Sequence, residues 1–352
     1  MSTLPDVMKA NFLTAPLTME VREQPLPAIP AGGMLIKVSS TGICGSDVIK
    51  IRNTRSSEPR VIGHEVAGTV VAVAPGAAIP YVVGDRVAVG HVHVPCGYCT
   101  YCQHGTPSMC RTFKETNIDP GGYAEYIAVS PDHIAHTILP IPENLSFDEA
   151  TFIDPVGCVL HAIDLCGIRP NDRVGVVGVG LMGLLFTTIL NQLSVETFAF
   201  DISDARLEKA SDYGAQHTYN TDSVDPRESI RKLTSDEGLD HVILTVILQE
   251  TINSTFDIIR DGGRICTFAG PVGSEPLQMD FYSFFRRELS MVSSYSATMA
   301  DMGAAMQWIA TGKVPVAEFI TGTCDLEGIL PAVKGMDEHS YKVMVHPSSP
   351  IA

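Results

Sequence analysis

The chain has 352 residues, 45% hydrophobic and 18% charged, an ordinary globular balance with length for about two domains. A net charge of −16 speaks against nucleic acid or an anionic membrane as the main partner and favours a soluble protein that handles a small molecule. Residues 1–10 show no basic region followed by an apolar core, so no signal peptide is expected, and nine cysteines, an odd count, point to a reducing, cytoplasmic setting.

In chain order, apolar runs at 34–38, 66–73 and 86–89, separated by Gly and Pro, read as short antiparallel strands joined by turns. Four cysteines follow as Cys96-x2-Cys99-x2-Cys102-x7-Cys110. Thiolates this close suit one tetrahedral zinc ion with a closed, structural shell. Disulfide pairing is the alternative, and three short cysteine steps in a reducing setting fit it less well. A further strand is predicted at 123–129, and Pro140-Ile141-Pro142 marks a connection.

From about residue 156 the rhythm changes. Strands at 173–179, 197–201, 241–248 and 264–269 alternate with helices at 181–193, 204–213 and 250–260, the βαβ pattern of a parallel sheet. The last sixty residues hold a helix at 299–310 and a final strand at 341–346. No internal repeat or low-complexity tract appears. The apolar stretch 174–190 is slightly short for a membrane span, and its glycines have a better explanation.

Those glycines form Gly178-Val179-Gly180-Leu181-Met182-Gly183, a Gly-x-Gly-x-x-Gly between an apolar strand and an apolar helix. The first allows a tight turn, the second lets backbone approach a pyrophosphate, and the third lets helix and strand pack closely. The helix N-terminus then faces the phosphate charge. The next strand ends in Asp201, twenty-one residues beyond Gly180, where an acid hydrogen-bonds ribose hydroxyls and repels a 2′-phosphate. This favours NAD over NADP, with Arg206 near enough to act in the other direction. A glycine-rich helix start in another α/β protein, with Asp201 as a helix cap, is the competing reading.

Cys44 lies in Gly42-Ile-Cys44-Gly-Ser46-Asp47, His64 and Glu65 in Gly63-His64-Glu65, and Asp154 in Ile153-Asp154-Pro155. Sequence alone does not bring these together, since a buried histidine and a helix-capping aspartate are the usual fate of such residues. With the four-cysteine lobe, Gly121-Gly-Tyr-Ala-Glu125-Tyr and the dinucleotide fingerprint, however, the combination resembles the zinc-dependent medium-chain alcohol dehydrogenase family over nearly the whole chain, in order. Asp154-Pro155 and the following His161-Ala162 look most like the polyol branch, which includes sorbitol and galactitol-phosphate dehydrogenases.

The resemblance implies an α/β architecture. A Rossmann doubly wound parallel sheet at 156–292 is inserted into a GroES-like, mainly antiparallel β catalytic domain formed by 1–155 and 293–352, with a structural zinc lobe at about 96–110 and the active site in the cleft between domains. It implies two zinc ions per chain, NAD, and a homodimer or homotetramer. Cys44 and His64 would be ligands of the catalytic zinc, with Glu65 and Asp154 on the carboxylate side of its sphere. Ser46 would take the proton of the bound alcohol, and Asp47 would orient His64. Lys342 would contact the cofactor pyrophosphate, and backbone around Phe268 and Gly270 would face the nicotinamide. The implied reaction is hydride transfer between a secondary alcohol of a polyol, sugar, sugar phosphate or cyclitol and NAD, via a zinc-bound alkoxide. A threonine-type amino alcohol dehydrogenase and a catalytically silent relative are the alternatives.

Three departures from the family pattern stand out. Ile49 replaces a histidine of the usual proton relay. Asp154 is one methylene shorter than the usual glutamate. Thr245, Val246, Ile247 and Leu248 replace an acid and a glycine, making the expected nicotinamide wall more apolar. Substrate clues are thin. Lys50, Arg52, Arg55 and Arg60 form a loop able to meet a phosphate or carboxylate, or simply a solvated one. Glu115 and Asp119 are placed to meet an amino-substituted sugar, Trp308 with Met302 and Met306 has core or interface spacing, and His91 and His93 read as structural.

Overall fold

A computed structural model of the chain describes residues 4–56, 58–270 and 276–348. The first three residues of the segment read for a leader, and the last four of the C-terminal one, lie outside these. The chain divides into two compact units, residues 1–157 with 297–352 and residues 158–296.

The first unit is built on a seven-stranded, mainly antiparallel sheet. Its path runs Ile320–Cys324, Lys342–Val345, Met34–Gly42, Glu65–Val73, Arg86–Val89 and Ile138–Pro140, with Tyr126–Val129 also paired to Met34–Gly42. Ile320–Cys324 and Lys342–Val345 are the parallel exception. Met34, Ile36, Val38, Val66, Val70, Val87 and Ile127 form one core over this sheet. A second, three-stranded sheet joins Thr18–Pro25, Val7–Ala15 and Arg60–Val61. Its core of Met8, Leu13, Ile51, Val61 and Tyr123 also takes in Ile329 and Val333. Each such side chain taken out of water stabilises the fold by about 1.5–3 kcal/mol. The helix Met299–Ala310 begins where the sequence places it, because Thr298 and Asp301 form a reciprocal capping box.

The second unit is an all-parallel six-stranded sheet. Its spatial order is His217–Asn220, Glu196–Asp201, Arg173–Val177, Leu239–Leu244, Ile259–Thr267 and Ser290–Ser293. In sequence terms that is 3-2-1-4-5-6, the doubly wound order with its switch point between the first and fourth strands. The apolar stretch singled out above is the strand Arg173–Val177 followed by the helix Leu181–Gln192, and no helix among the described residues is long and apolar enough to cross a membrane. The fold is therefore α/β, with a Rossmann-type parallel sheet and a separate, mainly antiparallel sheet. The strand expected at 241–248 ends at Leu244; Thr245, whose amide still donates to the Val177 carbonyl, also turns its hydroxyl onto the carbonyls of Val177 and Gly178.

Candidate active site

In the first unit, sheet register assembles a cluster that is scattered in sequence. Met34–Gly42 pairs antiparallel with Glu65–Val73 so that Gly42 stands opposite Glu65. Cys44 lies two residues after Gly42, as the N-terminal flank of the helix Gly45–Asn53, and His64 precedes Glu65. One donor atom from each of Cys44, His64 and Glu65 lies within 4.8 Å of the others.

Glu65 is 1% exposed and splits its two oxygens. Oε2 accepts from Lys342 Nζ at 2.5 Å, while Oε1 is buried without a hydrogen-bond partner. Lys342 is equally enclosed, its ammonium also lying 5.5 Å from the Phe152 ring centre. Burial lowers its pKa, but the charges of Glu65 and Cys44 hold it above the usual lysine range. This differs from the expected pyrophosphate contact: the ammonium is committed to Glu65. A buried carboxylate oxygen left bare carries a desolvation penalty of about 1–3 kcal/mol, more for a charged group. A cation among these sulfur, nitrogen and oxygen donors removes it, and the mixed donor set is of the kind that binds zinc. The residues thus fit a divalent metal.

His64 presents its two nitrogens differently. Nε2 is 3.7 Å from Asp154 Oδ2, and Nδ1 is 3.3 Å from Asp47 Oδ2, close enough for electrostatic contact although its angle falls outside hydrogen-bond geometry. Asp154 lies in the first turn of the helix Ile153–Cys166 and, with respect to His64 alone, stands at the spacing of two ligands on one metal, about 3.3–3.8 Å. It does not belong to the tight donor group. Asp47 is 0% exposed and receives Tyr123 Oη at 3.0 Å and Lys50 Nζ at 3.2 Å. Burial alone would raise its carboxyl, but His64, Lys50 and Tyr123 hold it well below the carboxylate range. Burial disfavours the imidazolium of His64, and Asp47 and Cys44 more than reverse that. Ser46 is exposed in the first turn of the helix Gly45–Asn53, and Ile49 in the same helix is 64% exposed.

The four cysteines also gather, their sulfurs within 4.8 Å of one another. The Cys96 amide points at Cys110 Sγ at 3.5 Å and the Cys99 amide at Cys96 Sγ at 3.4 Å. Burial raises both the Cys102 and Cys110 thiols; at Cys110 the amides of Cys96 and Phe113 overcome it and bring the thiol down to about 6, while Cys102 is pushed up to about 12. Four sulfurs that compete for protons in this way fit one metal ion that displaces the protons.

In the second unit the fingerprint glycines form the turn from Arg173–Val177 into Leu181–Gln192. A Cβ on Gly183 would lie 2.0 Å from the Gly178 carbonyl oxygen, so only glycine admits the helix this close. Gly180 faces open space, and the helix has no side-chain cap, so its first amides remain available to an anion. Leu181 and Met182 lie half-buried in that first turn. Asp201 ends the neighbouring strand, buried, and its carboxylate accepts from the amides of Val179 at 2.8 Å, Ile202 at 2.8 Å and Ser203 at 3.0 Å. It therefore ties the glycine turn to the strand end, a function the sequence did not suggest. Arg206 is half-buried in the helix Asp204–Asp212. Phe268 packs edge-on to Phe186 at 4.9 Å, and Gly270 is exposed. The stretch at 245–248 is not simply an apolar wall: Thr245 Oγ1 donates to the carbonyls of Val177 and Gly178, and Ile247 is buried in the core.

Other candidates fall away from the chemistry. Glu115 pairs with Arg111 on the surface, Arg60 leans on Thr54, and Lys50 serves Asp47. His91 and His93 lie against Phe113 in tilted ring contacts, as part of the packing beside the cysteine lobe. Met302 and Met306 are core residues. Tyr123 is the site residue that sequence reasoning missed; it stood in a quoted motif without a role.

Residues 30–143 match the alcohol dehydrogenase GroES-like domain family, and residues 178–311 match the zinc-binding dehydrogenase family, together well over half of the chain. Sorbitol dehydrogenase of Bacillus subtilis is 29% identical over 98% of this chain and 99% of its own. Among solved structures, the short chain alcohol dehydrogenase rspB from Escherichia coli CFT073, complexed with NADH, is 27% identical with a TM-score of 0.85, covering 97% of this chain and 100% of that one. Galactitol-1-phosphate dehydrogenase from Escherichia coli is 25% identical with a TM-score of 0.83, covering 97% of this chain and 100% of its own. The donor cluster, the doubly wound sheet and these likenesses agree that the chain belongs to the zinc-dependent medium-chain alcohol dehydrogenase family.

Proposed function

We propose that the protein oxidises a secondary alcohol of a polyol, sugar, sugar phosphate or cyclitol with NAD, reversibly, at a zinc site formed by Cys44, His64 and Glu65. The observation that carries this is the buried, unpartnered Glu65 Oε1 beside the cysteine sulfur and the histidine nitrogen. A zinc ion bound there supplies Lewis acidity, which makes the substrate hydroxyl easier to deprotonate. Cys44, His64 and Glu65 hold it, with Asp47 behind His64 and Lys342 behind Glu65. Asp154, next to His64 but outside the tight group, contacts substrate or acts through water. Ser46 Oγ would take the hydroxyl proton only while passing its own on; Ile49 cannot receive it, and a ribose hydroxyl of the bound cofactor would be the next acceptor. Cys96, Cys99, Cys102 and Cys110 hold a second, structural zinc.

In the second unit, Gly178, Gly180, Leu181, Met182 and Gly183 with the uncapped helix amides receive the pyrophosphate, and Phe268 and Gly270 flank the nicotinamide. Asp201 keeps carboxylate lone pairs for a ribose hydroxyl while it braces the turn, and its charge disfavours a 2′-phosphate despite Arg206. Solved relatives carry either cofactor, NADH in rspB and NADP in a zinc-binding dehydrogenase from Sinorhizobium meliloti, so the preference for NAD rests on Asp201. The names of the sorbitol and galactitol-1-phosphate relatives support a polyol-like substrate. A donor set with a single thiolate and a carboxylate is harder than a thiolate-rich one and would suit a polyhydroxylated substrate.

The test is reduction of NAD and NADP by zinc-loaded protein across polyols, cyclitols, sugar phosphates and amino alcohols, with metal counted per chain. Turnover of a vicinal diol with NAD and two zinc ions supports the reading. Equal kcat/KM for 2-propanol removes the polyol class, and preference for an amino alcohol replaces it with the threonine type.

A further inference from the structure

We infer that Tyr123 is a positioning residue for His64, acting through Asp47; this rests on the reading of Cys44, His64 and Glu65 as a metal site. Its phenol lies fully inside the first unit, with Oη donating to Asp47 Oδ2 at 3.0 Å. That oxygen is the one facing His64 Nδ1, while Oδ1 receives Lys50. Tyrosine and lysine thus fix the carboxylate from two directions, and the oxygen they leave beside the imidazole sets where the ring can stand. Lys50 is half-exposed, with a long flexible stem; the enclosed phenol is the rigid arm of the pair.

The backbone carries the same coupling. The Tyr123 amide donates to the Ile62 carbonyl at 2.9 Å, the Gly122 amide to the Gly63 carbonyl at 2.9 Å, and the Tyr123 carbonyl accepts from the Asn11 amide at 2.9 Å. Residues 122 and 123 therefore clamp the two residues immediately before His64. The ring completes the clamp at Gly63. That residue has φ +95°, and a Cβ there would lie 2.7 Å from Tyr123 Cδ1 and 2.9 Å from Cε1. Tyr123 thus touches the segment carrying His64 on the main-chain side and reaches the carboxylate behind the imidazole on the other. A purely space-filling aromatic would account for the ring, but not for a buried hydroxyl aimed at the oxygen that His64 faces.

The experiment compares metal release to a chelator from wild type, Tyr123→Phe, Asp47→Asn and the double variant. The Cys44–His64–Glu65 phase is assigned with Cys102→Ser, which disables the four-cysteine site. Partners hydrogen-bonded to a metal-ligating group typically govern affinity by about 10–100-fold. One step further out, Tyr123→Phe is expected to accelerate release about three- to ten-fold, with Asp47→Asn at least as strong and the double variant no faster than Asp47→Asn alone. Cobalt substitution reads the same geometry, through a shifted visible spectrum in Tyr123→Phe. Tyr81→Phe is the control: it deletes a phenol bond to the Ile138 carbonyl in the same unit, at 3.0 Å, and leaves release unchanged. Unchanged release in Tyr123→Phe, or effects of the two single variants that simply add, overturns the inference while the metal reading stands. Unchanged release in Asp47→Asn overturns it even if the tyrosine variant does not fold. A wild type with no release phase beyond the four-cysteine site sinks the metal reading and the inference together.

Discussion

Replacing Lys342 with Met tests the most enclosed charge pair in the first unit. Both partners are 1% exposed and their charged atoms are 2.5 Å apart. Methionine keeps most of the apolar stem beside Phe152 and removes only the ammonium. Glu65 would then be buried with neither oxygen paired, since Oε1 already has no partner. Breaking a buried pair from one side typically costs about 3–5 kcal/mol, because the surviving charge is left desolvated. For a unit of this size that lowers Tm by about 6–20 °C. The effect depends on metal. In stripped protein the full penalty appears; in zinc-loaded protein Glu65 regains a cation, and the loss shrinks to about 2 kcal/mol or less as the bound ion stabilises the folded state. Urea unfolding of stripped and loaded protein, with Glu65→Leu/Lys342→Met as the paired control, measures each quantity. The double variant is expected to recover most of the stability, as buried ion pairs replaced whole by apolar groups often do. A loss below about 1 kcal/mol in the stripped single variant, or a penalty that zinc leaves untouched, would refute the reasoning, because it requires an uncompensated Glu65 charge.

Asp154→Asn is expected to keep the full zinc count while turnover falls at least ten-fold, since Asp154 stands beside His64 but outside the tight donor group; elemental analysis showing one zinc fewer would make it a ligand instead. Asp201→Ala deprives the amides of Val179, Ile202 and Ser203 of their acceptor, loosening the glycine turn. NADH binding followed by fluorescence should weaken at least ten-fold, and an unchanged Kd would show that the turn holds without it. Burial, aided by His93, depresses His91 to about 3, so the unfolded chain takes up this proton at about pH 6.5 and the folded chain only near 3. Stability is thus fully present above pH 6.5 and falls with acidification by up to about 1.4 kcal/mol per pH unit. His91→Phe should flatten the stability curve of loaded protein between pH 6 and 4.5 by about one proton; parallel curves would refute it.

What the sequence makes legible follows from how local the signal is. Four of the six strands of the parallel sheet were readable because each is a short apolar run followed by a helical stretch and, at residue 178, by glycines with a mechanical purpose; the edge strands His217–Asn220 and Ser290–Ser293 escaped because they are short and hold few apolar residues. The hairpin Val7–Ala15 with Thr18–Pro25 escaped because Leu17 adopts φ +52° at its turn, where glycine or asparagine would have announced it. The helix Ile153–Cys166 escaped because its first turn carries Pro155 and its residues are largely apolar, leaving no polar stripe to mark the period. At the candidate site, the donor residues were singled out by motif resemblance, whereas the contacts around them depend on register. Gly42 is paired with Glu65 on one side and with Met344 on the other. Glu65 and Lys342, 277 residues apart, therefore belong to strands flanking the same glycine. A Cβ at position 42 would lie 2.0 Å from Glu65 Oε2 and 3.3 Å from Lys342 Nζ, so the absence of a side chain there is what lets the two charges meet. Neither half of that arrangement has a sequence signature of its own. It arises from three strands sharing one register, which is why a lysine expected at the pyrophosphate instead stands behind the carboxylate of the donor cluster.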